Sequence, residues 1–215
     1  MLSQAVEDYL KTIYKIEDEQ GIASTTDIAR RLDVAPASVT SMVKRLADMG
    51  MVDYKSYQGA QLTDAGRKIA LEIIRHHRLL ETYLREIMGY SWHKMHEEAE
   101  HLEHHISEEF EDKIDQLLGY PTHDPHGDPI PTRDGEMLEH ETQPLSEVPA
   151  GAQMTIRRFS DLDVDVLHQL EDAGLELRKV ITVIDTSTES VIIDVETNRI
   201  PLSKHLASNV FVSHD

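Results

Sequence analysis

The spacing of apolar residues changes once along this chain, and that change limits what it can fold into. From Val6 to Leu118, one hairpin apart, apolar positions recur every three or four residues, the period of a helix. Beyond Pro149 they gather in short runs, MTIRRF, KVITVID, SVIIDVE and NVFV, with turn residues between them. A short helix is expected over residues 164–173 among those runs. The chain is therefore expected to be mainly α with a small β domain, a β-barrel, at its end. Between the two parts lies THDPHGDPIPTRDGEM, whose Pro, Gly and Asp content predicts an ordered loop or linker.

The N-terminal pattern is more specific. Val6, Tyr9, Leu10, Ile13, Tyr14 and Ile16 predict a first helix, ended by Gly21. Thr25-Thr26-Asp27 offers an N-cap to a second helix running through IARRL. Pro36 suits the first turn of a third, PASVTSMVKRLADMG, closed by Gly50. MVDYKSYQGAQLT then has strand–turn–strand character with Gly59 at its tip. This order is a winged helix-turn-helix. Such a head lays the start of its recognition helix on base edges, here Pro36, Ala37, Ser38, Thr40 and Ser41. Lys44 and Arg45 follow one turn later, and Lys55 and Tyr57 fall on the wing, placed for phosphates. Winged helices also serve as protein-interaction modules, and the pattern leaves both uses open. Further helical stretches are expected: residues 64–87, closed by Gly89, and one or two between Trp92 and Leu118.

The formal net charge of -19 argues against nucleic acid only until its distribution is read. Residues 1–75 hold 10 Lys+Arg against 11 Asp+Glu, whereas residues 76–150 hold 5 against 18. The head is balanced and the middle is acidic. There is no cysteine, so disulfides and thiolate ligands are excluded. The N-terminal segment MLSQAVEDYLKTIYKI lacks a signal-peptide pattern, and no apolar run approaches 18 residues, so a cytoplasmic location without membrane contact is expected.

The acidic middle contains HEEAEHLEHH over residues 96–105. His96, Glu100, Glu103 and His104 keep the i, i+4, i+7, i+8 spacing that shares one helix face. His77 and Glu81 stand one turn apart upstream, and Asp8 lies on the first helix. Imidazole and carboxylate without sulfur suit Mn²⁺ or Fe²⁺, and leave Zn²⁺ and Co²⁺ open. The plain alternative is a solvated helix surface. Enzyme patterns fail here. His96 and His101 are five residues apart, so their rings diverge, whereas a zincin needs His-Glu-x-x-His. Glu98 and His101 make one Glu-x-x-His pair, and a di-iron bundle needs two. No Ser/His/Asp arrangement or phosphate-binding glycine loop stands out.

With these residues in place, nearly the whole chain resembles the diphtheria-toxin-repressor family of metal-dependent transcriptional repressors. EDYLKTIY at 7–14, GAQLTDAGRKIA after the wing, HHRLLETYL at 76–84, HEEAEHLEHHISEE at 96–109 and HGDPIP at 126–131 carry the resemblance. It implies a DNA-binding domain over 1–72, a helical metal-binding and dimerisation domain over 73–140, and an SH3-like domain over 150–215. It implies a homodimer on double-stranded palindromic operator DNA, repressing metal-uptake genes, and no enzyme.

The resemblance also implies ligands. A primary metal site would use Asp8, Glu100, Glu103 and His104. An ancillary site would use His77, Glu81 and His96, with Asp163 near the third domain's contribution, making two sites per subunit. The amide ligand that some members carry in the third domain is replaced here by Val166. Iron-sensing members place Met and Cys where this chain has Asp8 and Glu100, so Mn(II) is the expected effector. The short manganese regulators carry a glutamate, for a paired-metal site, where this chain has Lys11. Without metal, the cluster's carboxylates are expected to repel one another and leave the first helix loosely held. An Fe(II)-responsive repressor and a metal-buffering protein without operator binding are the alternatives.

Overall fold

The computed structural model describes residues 2–55, 58–137, 141–160, 164–196 and 198–214. Its contacts group into two units. The first comprises Met1–His77, Glu100–Lys113 and Pro131–Met137, and the second Arg78–Ala99, Ile114–Ile130 and Leu138–Asp215.

The head follows its apolar spacing. Helix α1, Gln4–Gln20, buries Val6, Leu10, Ile13 and Ile16, and ends where Gly21, at φ 80°, donates to Glu17 O. Helix α2, Thr25–Arg31, is capped by Ser24, whose hydroxyl accepts from Asp27 N at 3.0 Å. The cap thus lies one residue before the Thr-Thr-Asp expected for it. Helix α3, Pro36–Asp48, opens on proline and turns Val39, Val43 and Leu46 inward, all fully buried. Each such side chain contributes about 1.5–3 kcal/mol by leaving water. Strands β1, Val52–Lys55, and β2, Gly59–Leu62, pair antiparallel with Lys55 opposite Gly59. Gly59 has φ 101°, and a Cβ there would sit 2.8 Å from Ala23 O, so only glycine lets the start of β2 close on the α1–α2 connection.

Helix α4, Asp64–Glu86, runs for 23 residues, followed by α5, Trp92–Leu102, and α6, Glu108–Leu117. The expected one or two helices after Trp92 are two.

In the second unit a six-stranded antiparallel sheet has the order β3-β8-β4-β5-β6-β7. Its strands are β3 Gln143–Pro144, β4 Gln153–Phe159, β5 Val180–Thr186, β6 Ser190–Val195, β7 Asn198–Ser203 and β8 Val210–Ser213. Helices α7, Val164–Asp172, and α8, Lys204–Ser208, accompany them. Alternate residues of β6, Val191, Ile193 and Val195, face a core shared with Ile156, Val183, Val210 and Val212. Register shifts at Ile156/Arg158 and Val183/Asp185 bend the sheet over that core.

The proline-rich stretch is ordered. Asp124 N donates to Asp128 O and Ile130 N to Thr122 O, each at 2.9 Å, closing a tight turn. Phe159 N donates to His126 O at 2.9 Å, pinning the turn to β4. Gly127, at φ 89°, allows this, since a Cβ there would meet Arg157 O at 2.1 Å. The apolar period is absent from the turn, so its burial could not be read from spacing.

Candidate metal centre

In the first unit, α1 and the turn after α5 bring a carboxylate–imidazole group together. His104 Nδ1 lies 2.7 Å from Glu7 Oε2. That carboxylate can only accept, so Nδ1 is the nitrogen that donates to it, which leaves Nε2 as the atom that a neutral imidazole would offer to a metal. Nε2 lies 2.8 Å from Asp8 Oδ1 and 3.3 Å from Glu103 Oε1, yet it is buried and makes no hydrogen bond. Ligand atoms of Asp8, Glu103 and His104 all lie within 4.8 Å of one another. Two carboxylate oxygens and an imidazole nitrogen converging within this distance, with no sulfur among them, are a donor set that fits a divalent metal. Glu7 acts behind the ligand, fixing the imidazole's tautomer and orientation as outer carboxylates do at metal sites.

The acids of this cluster are tuned by neighbours. Burial raises the Asp8 carboxyl, against the pull of His104 and Lys11. Burial would also raise Glu103, but the bond from His77 and the charge of Lys11 outweigh it and hold Glu103 below its ordinary range. His77 Nδ1 lies 2.6 Å from Glu103 Oε2. Lys11 Nζ donates to Glu103 Oε1 at 2.6 Å and to Glu100 Oε1 at 2.8 Å. Of the four expected primary ligands, Asp8, Glu103 and His104 meet one another, while Glu100 is engaged by Lys11. The same ammonium ties α1 to Glu100 and Glu103, so the loosely held first helix expected from bare repulsion is corrected.

The single face expected for His96, Glu100, Glu103 and His104 is corrected too. Helix α5 ends at Leu102, and Glu103 and His104 sit in the turn beyond it. His96 turns instead to Glu81, its Nδ1 2.9 Å from Glu81 Oε1 within the second unit. There the buried His126 brings Nε2 to 3.6 Å from the same Glu81 oxygen. Trp92 stacks against His126 with ring centroids 4.5 Å apart. Arg78 reaches Asp124 Oδ2 at 3.5 Å and Asp128 Oδ1 at 3.4 Å. Burial pushes Asp124 up to about 7, helped by the charge of Asp128 and opposed by His126 and Arg78. Glu81, His96 and His126 thus form a second nitrogen–oxygen group. On α4, one turn apart, His77 Nδ1 meets Glu103 Oε2 and Glu81 Oε1 meets His96 Nδ1. Asp163 lies outside the described residues, and Val166 is buried in the sheet domain's core.

Another network braces the first cluster. His76 Nδ1 lies 3.1 Å from Glu103 O, and its Nε2 lies 3.3 Å from Glu111 Oε2. Arg75 Nε donates to Glu111 Oε1 at 2.6 Å. Burial works to raise Glu111, but the bonds from His76 and Arg75 prevail and hold it at about 2. His76 is buried. Sequence reasoning missed Glu7 and His126. The adjacency of Glu7 to Asp8 is the one sequence signal that pointed to Glu7.

Of the residues expected to meet DNA, Pro36, Ala37, Ser38, Ser41, Lys44 and Arg45 are exposed on α3, opposite its buried Val39, Val43 and Leu46. Thr40 is half-buried and donates its hydroxyl to Pro36 O at 3.0 Å. Lys55 is exposed on β1, and Tyr57 lies outside the described residues.

A winged helix and a buried carboxylate–imidazole group together define a class, the metal-binding winged-helix proteins. Comparison with known proteins narrows it. Residues 1–60 match the iron-dependent repressor N-terminal DNA-binding domain, residues 63–132 its metal-binding and dimerisation domain, and residues 143–214 the FeoA domain. The chain is 32% identical over 199 residues to the iron-dependent repressor IdeR of Mycobacterium tuberculosis, covering 85% of this chain and 84% of that protein. It is 30% identical over 201 residues to the diphtheria toxin repressor of Corynebacterium glutamicum, covering 89% and 88%. A solved manganese-dependent transcriptional repressor in complex with manganese superposes with TM-score 0.92 at 33% identity, covering 98% of this chain and 100% of the other. ScaR with bound Cd²⁺ gives TM-score 0.83 at 32% identity, covering 98% and 99%. The chain belongs to the iron-dependent repressor family, whose members are transcriptional repressors and not enzymes. Its fold is the winged-helix head, helical metal-binding and dimerisation region and small β domain of that family.

Proposed function

We propose that this chain is a homodimeric, Mn(II)-responsive repressor that closes metal-uptake genes by binding palindromic operator DNA in the cytoplasm. The convergence of Asp8 Oδ1, Glu103 Oε1 and His104 Nε2 carries the reading, because it joins the head's first helix to the turn after α5. Residues 1–72 would read DNA, 73–140 bind metal and dimerise, and 150–215 form the accessory β domain. Asp8, Glu103 and His104 would hold the first ion, with Glu100 beside them. Glu81, His96 and His126 would hold a second, with His77 and Asp163 as the remaining expected donors. Hard oxygen and imidazole donors without sulfur favour Mn²⁺ or Fe²⁺ chemically, and a carboxylate at Asp8 in place of a thioether favours Mn²⁺.

When bound, the ion supplies positive charge that three lone pairs share. Glu7 keeps the His104 lone pair aimed at it, and Lys11 holds α1 against Glu100 and Glu103. Metal shifts the head toward the DNA-competent arrangement only by its preference for that state; moving 1:99 to 99:1 takes about 5.5 kcal/mol. Because the ligands must be deprotonated, activation fades as pH falls through the histidine range.

The test is a titration of chelated protein on a genomically selected palindrome, with Mn²⁺, Fe²⁺ under argon, and Zn²⁺ added separately. Binding that appears with Mn²⁺ at the lowest free concentration supports the reading. Equal response to Fe²⁺ favours the iron sensor, and metal binding without operator binding favours a buffer.

A further inference from the structure

Two adjacent histidines of α4 grip one residue of the turn after α5 in different ways. His77 Nδ1 meets the Glu103 side chain, 2.6 Å from Oε2, whereas His76 Nδ1 lies 3.1 Å from the Glu103 backbone oxygen. A carbonyl oxygen can only accept, so Nδ1 is the His76 nitrogen that donates. Helix α5 ends at Leu102, so the Glu103 carbonyl lies beyond the helical ladder, and Glu103 is fully buried. A buried carbonyl needs a partner, and His76 supplies it. His76 is fixed in turn from behind. Its Nε2 lies 3.3 Å from Glu111 Oε2, and the other oxygen of Glu111 accepts from Arg75 Nε at 2.6 Å. Arg75 also donates from Nη1 to Pro131 O at 2.8 Å. Arg75, His76 and Glu111 are all buried. Lys11 and His77 hold Glu103 by Oε1 and Oε2, the atoms that an ion would draw on. His76 holds it by the backbone.

We propose that His76 is the positioning residue of the first cluster: by fixing the Glu103 carbonyl, it sets the turn from which Glu103 and His104 reach toward Asp8 before any metal arrives. This rests on the metal reading above. Outer groups at metal sites ordinarily orient one ligand through its side chain, as Glu7 does for His104. Here the orientation passes through the backbone, so one bond serves two neighbouring donors. Arg75 and Glu111 then have a part in metal binding at one remove, because they set the ring that sets the turn.

The experiment compares the parent with His76→Asn, His76→Gln and His76→Ala. An asparagine amide stands where Nδ1 does and keeps a donor for Glu103 O, whereas a glutamine amide reaches the Nε2 position and Glu111. Circular dichroism checks that each variant is folded, and the Asn and Gln pair carries the test if His76→Ala does not fold. Mn²⁺ affinity is measured by equilibrium dialysis. Hydrogen exchange over residues 102–106 is followed separately in chelator, where the His105 amide, which donates to Leu102 O at 2.8 Å, reports on the turn. Affinity should fall about tenfold or more in His76→Ala and His76→Gln, with faster exchange across the turn. His76→Asn should keep most of the affinity and the parent's slow exchange. A role confined to partnering Glu111 gives the reverse order, with His76→Gln the milder change, and that order overturns the proposal. So does equal loss in His76→Asn and His76→Gln, parental affinity in His76→Ala, or affinity lost without faster exchange in the turn. A parent that binds no Mn²⁺ overturns the metal reading and the proposal with it, and this is seen before any variant is measured.

Discussion

The two acid-rich clusters of this chain use the same residue types, yet Glu103 and Glu111 in the first are lowered and Asp124 in the second is raised. In the first unit each carboxylate meets a cation or an imidazole: Glu103 meets Lys11 and His77, and Glu111 meets Arg75 and His76. Glu111 is held at about 2 although burial works against it. In the second unit Asp124 sits beside Asp128, with Arg78 Nε at 3.5 Å, and burial takes it to about 7. The difference is one of geometry. A cation at 2.6 Å outweighs desolvation, and one at 3.5 Å facing two carboxylates does not. In the first cluster Glu103 and Glu111 are therefore held ionised, while burial raises the carboxyl of their neighbour Asp8. At the second, a proton on Asp124 competes with any incoming ion, so metal taken up there should be lost first as pH falls.

The sharpest way to break this contrast is to remove the first unit's cation. Arg75→Met leaves buried Glu111 with His76 as its close partner, and stripping a buried pair of one member costs about 3 kcal/mol. Glu111 is depressed, so its stabilisation is present above the usual carboxylate range and is lost as pH falls from about 4.5 toward 2. Hydrogen exchange followed by peptide should show the loss over residues 64–77 and 108–113. Little change there would mean the network is not what holds Glu111 ionised.

Asp8→Ala tests whether the first cluster binds metal while the second stays intact. Removing one of three converging donors should weaken Mn²⁺ binding there about hundredfold, or about 2.8 kcal/mol. Metal-dependent operator binding should go with it, while thermal stability of the chelated protein stays within about 0.5 kcal/mol, since Asp8 is half-exposed. Unchanged operator affinity would sink the link between this cluster and the head.

Most of the scaffold was legible because it is built on periods. Leu10, Ile13 and Val43 repeat at helical spacing, Val191 and Ile193 alternate, and Pro36 and Gly21 punctuate the ends. Glu103 and His104 were legible because they stand in a dense run of ligand-type side chains, whereas Asp8 stands apart and entered through the resemblance. What escaped was how these groups pair. Spacing put His96 and His104 on one face, but the helix stops at Leu102, and a stop without glycine or proline leaves no mark. His126 sits in a turn with no period, buried through backbone bonds to β4 rather than through an apolar pattern. Lys11 was visible as a departure from the resemblance, but its reach to Glu100 and Glu103, 89 and 92 residues away, is a property of the fold.

Asp124 gives the second unit its own test. The folded chain holds this proton up to about pH 7, and the unfolded chain releases it near the ordinary aspartate value. Between those values the folded state binds more protons, so stability falls as pH rises from about 4 to about 7. The full shift sets a ceiling on the order of 4 kcal/mol. Oδ1 also accepts from His126 N and Asp128 N at 2.9 Å, which favours the ionised form, so about 2 kcal/mol is expected. In chelator, hydrogen exchange over residues 120–130 should be slower at pH 5 than at pH 7.5 once corrected for intrinsic rates. Asp124→Asn should flatten that difference. A parent with no such slope would put Asp124 among the ionised acids and erase the contrast between the clusters.

The smallest effect separates orientation from charge at the first cluster. Glu7 sits behind His104 and touches no expected ligand atom except the imidazole Nδ1. Its removal in Glu7→Ala frees the ring to rotate and to carry its proton on either nitrogen. Outer carboxylates of this kind are worth about tenfold or more in metal affinity, near 1.4 kcal/mol. Glu7→Gln keeps an oxygen able to accept from Nδ1–H but removes the negative charge that makes the imidazole more basic. If orientation dominates, Glu7→Gln should retain most of the Mn²⁺ affinity that Glu7→Ala loses, with the pH midpoint of binding close to the parent's. If charge dominates, the two variants should lose affinity alike. The first result is expected, because Nε2 already faces Asp8 and Glu103, and their charge sets the field at the ion.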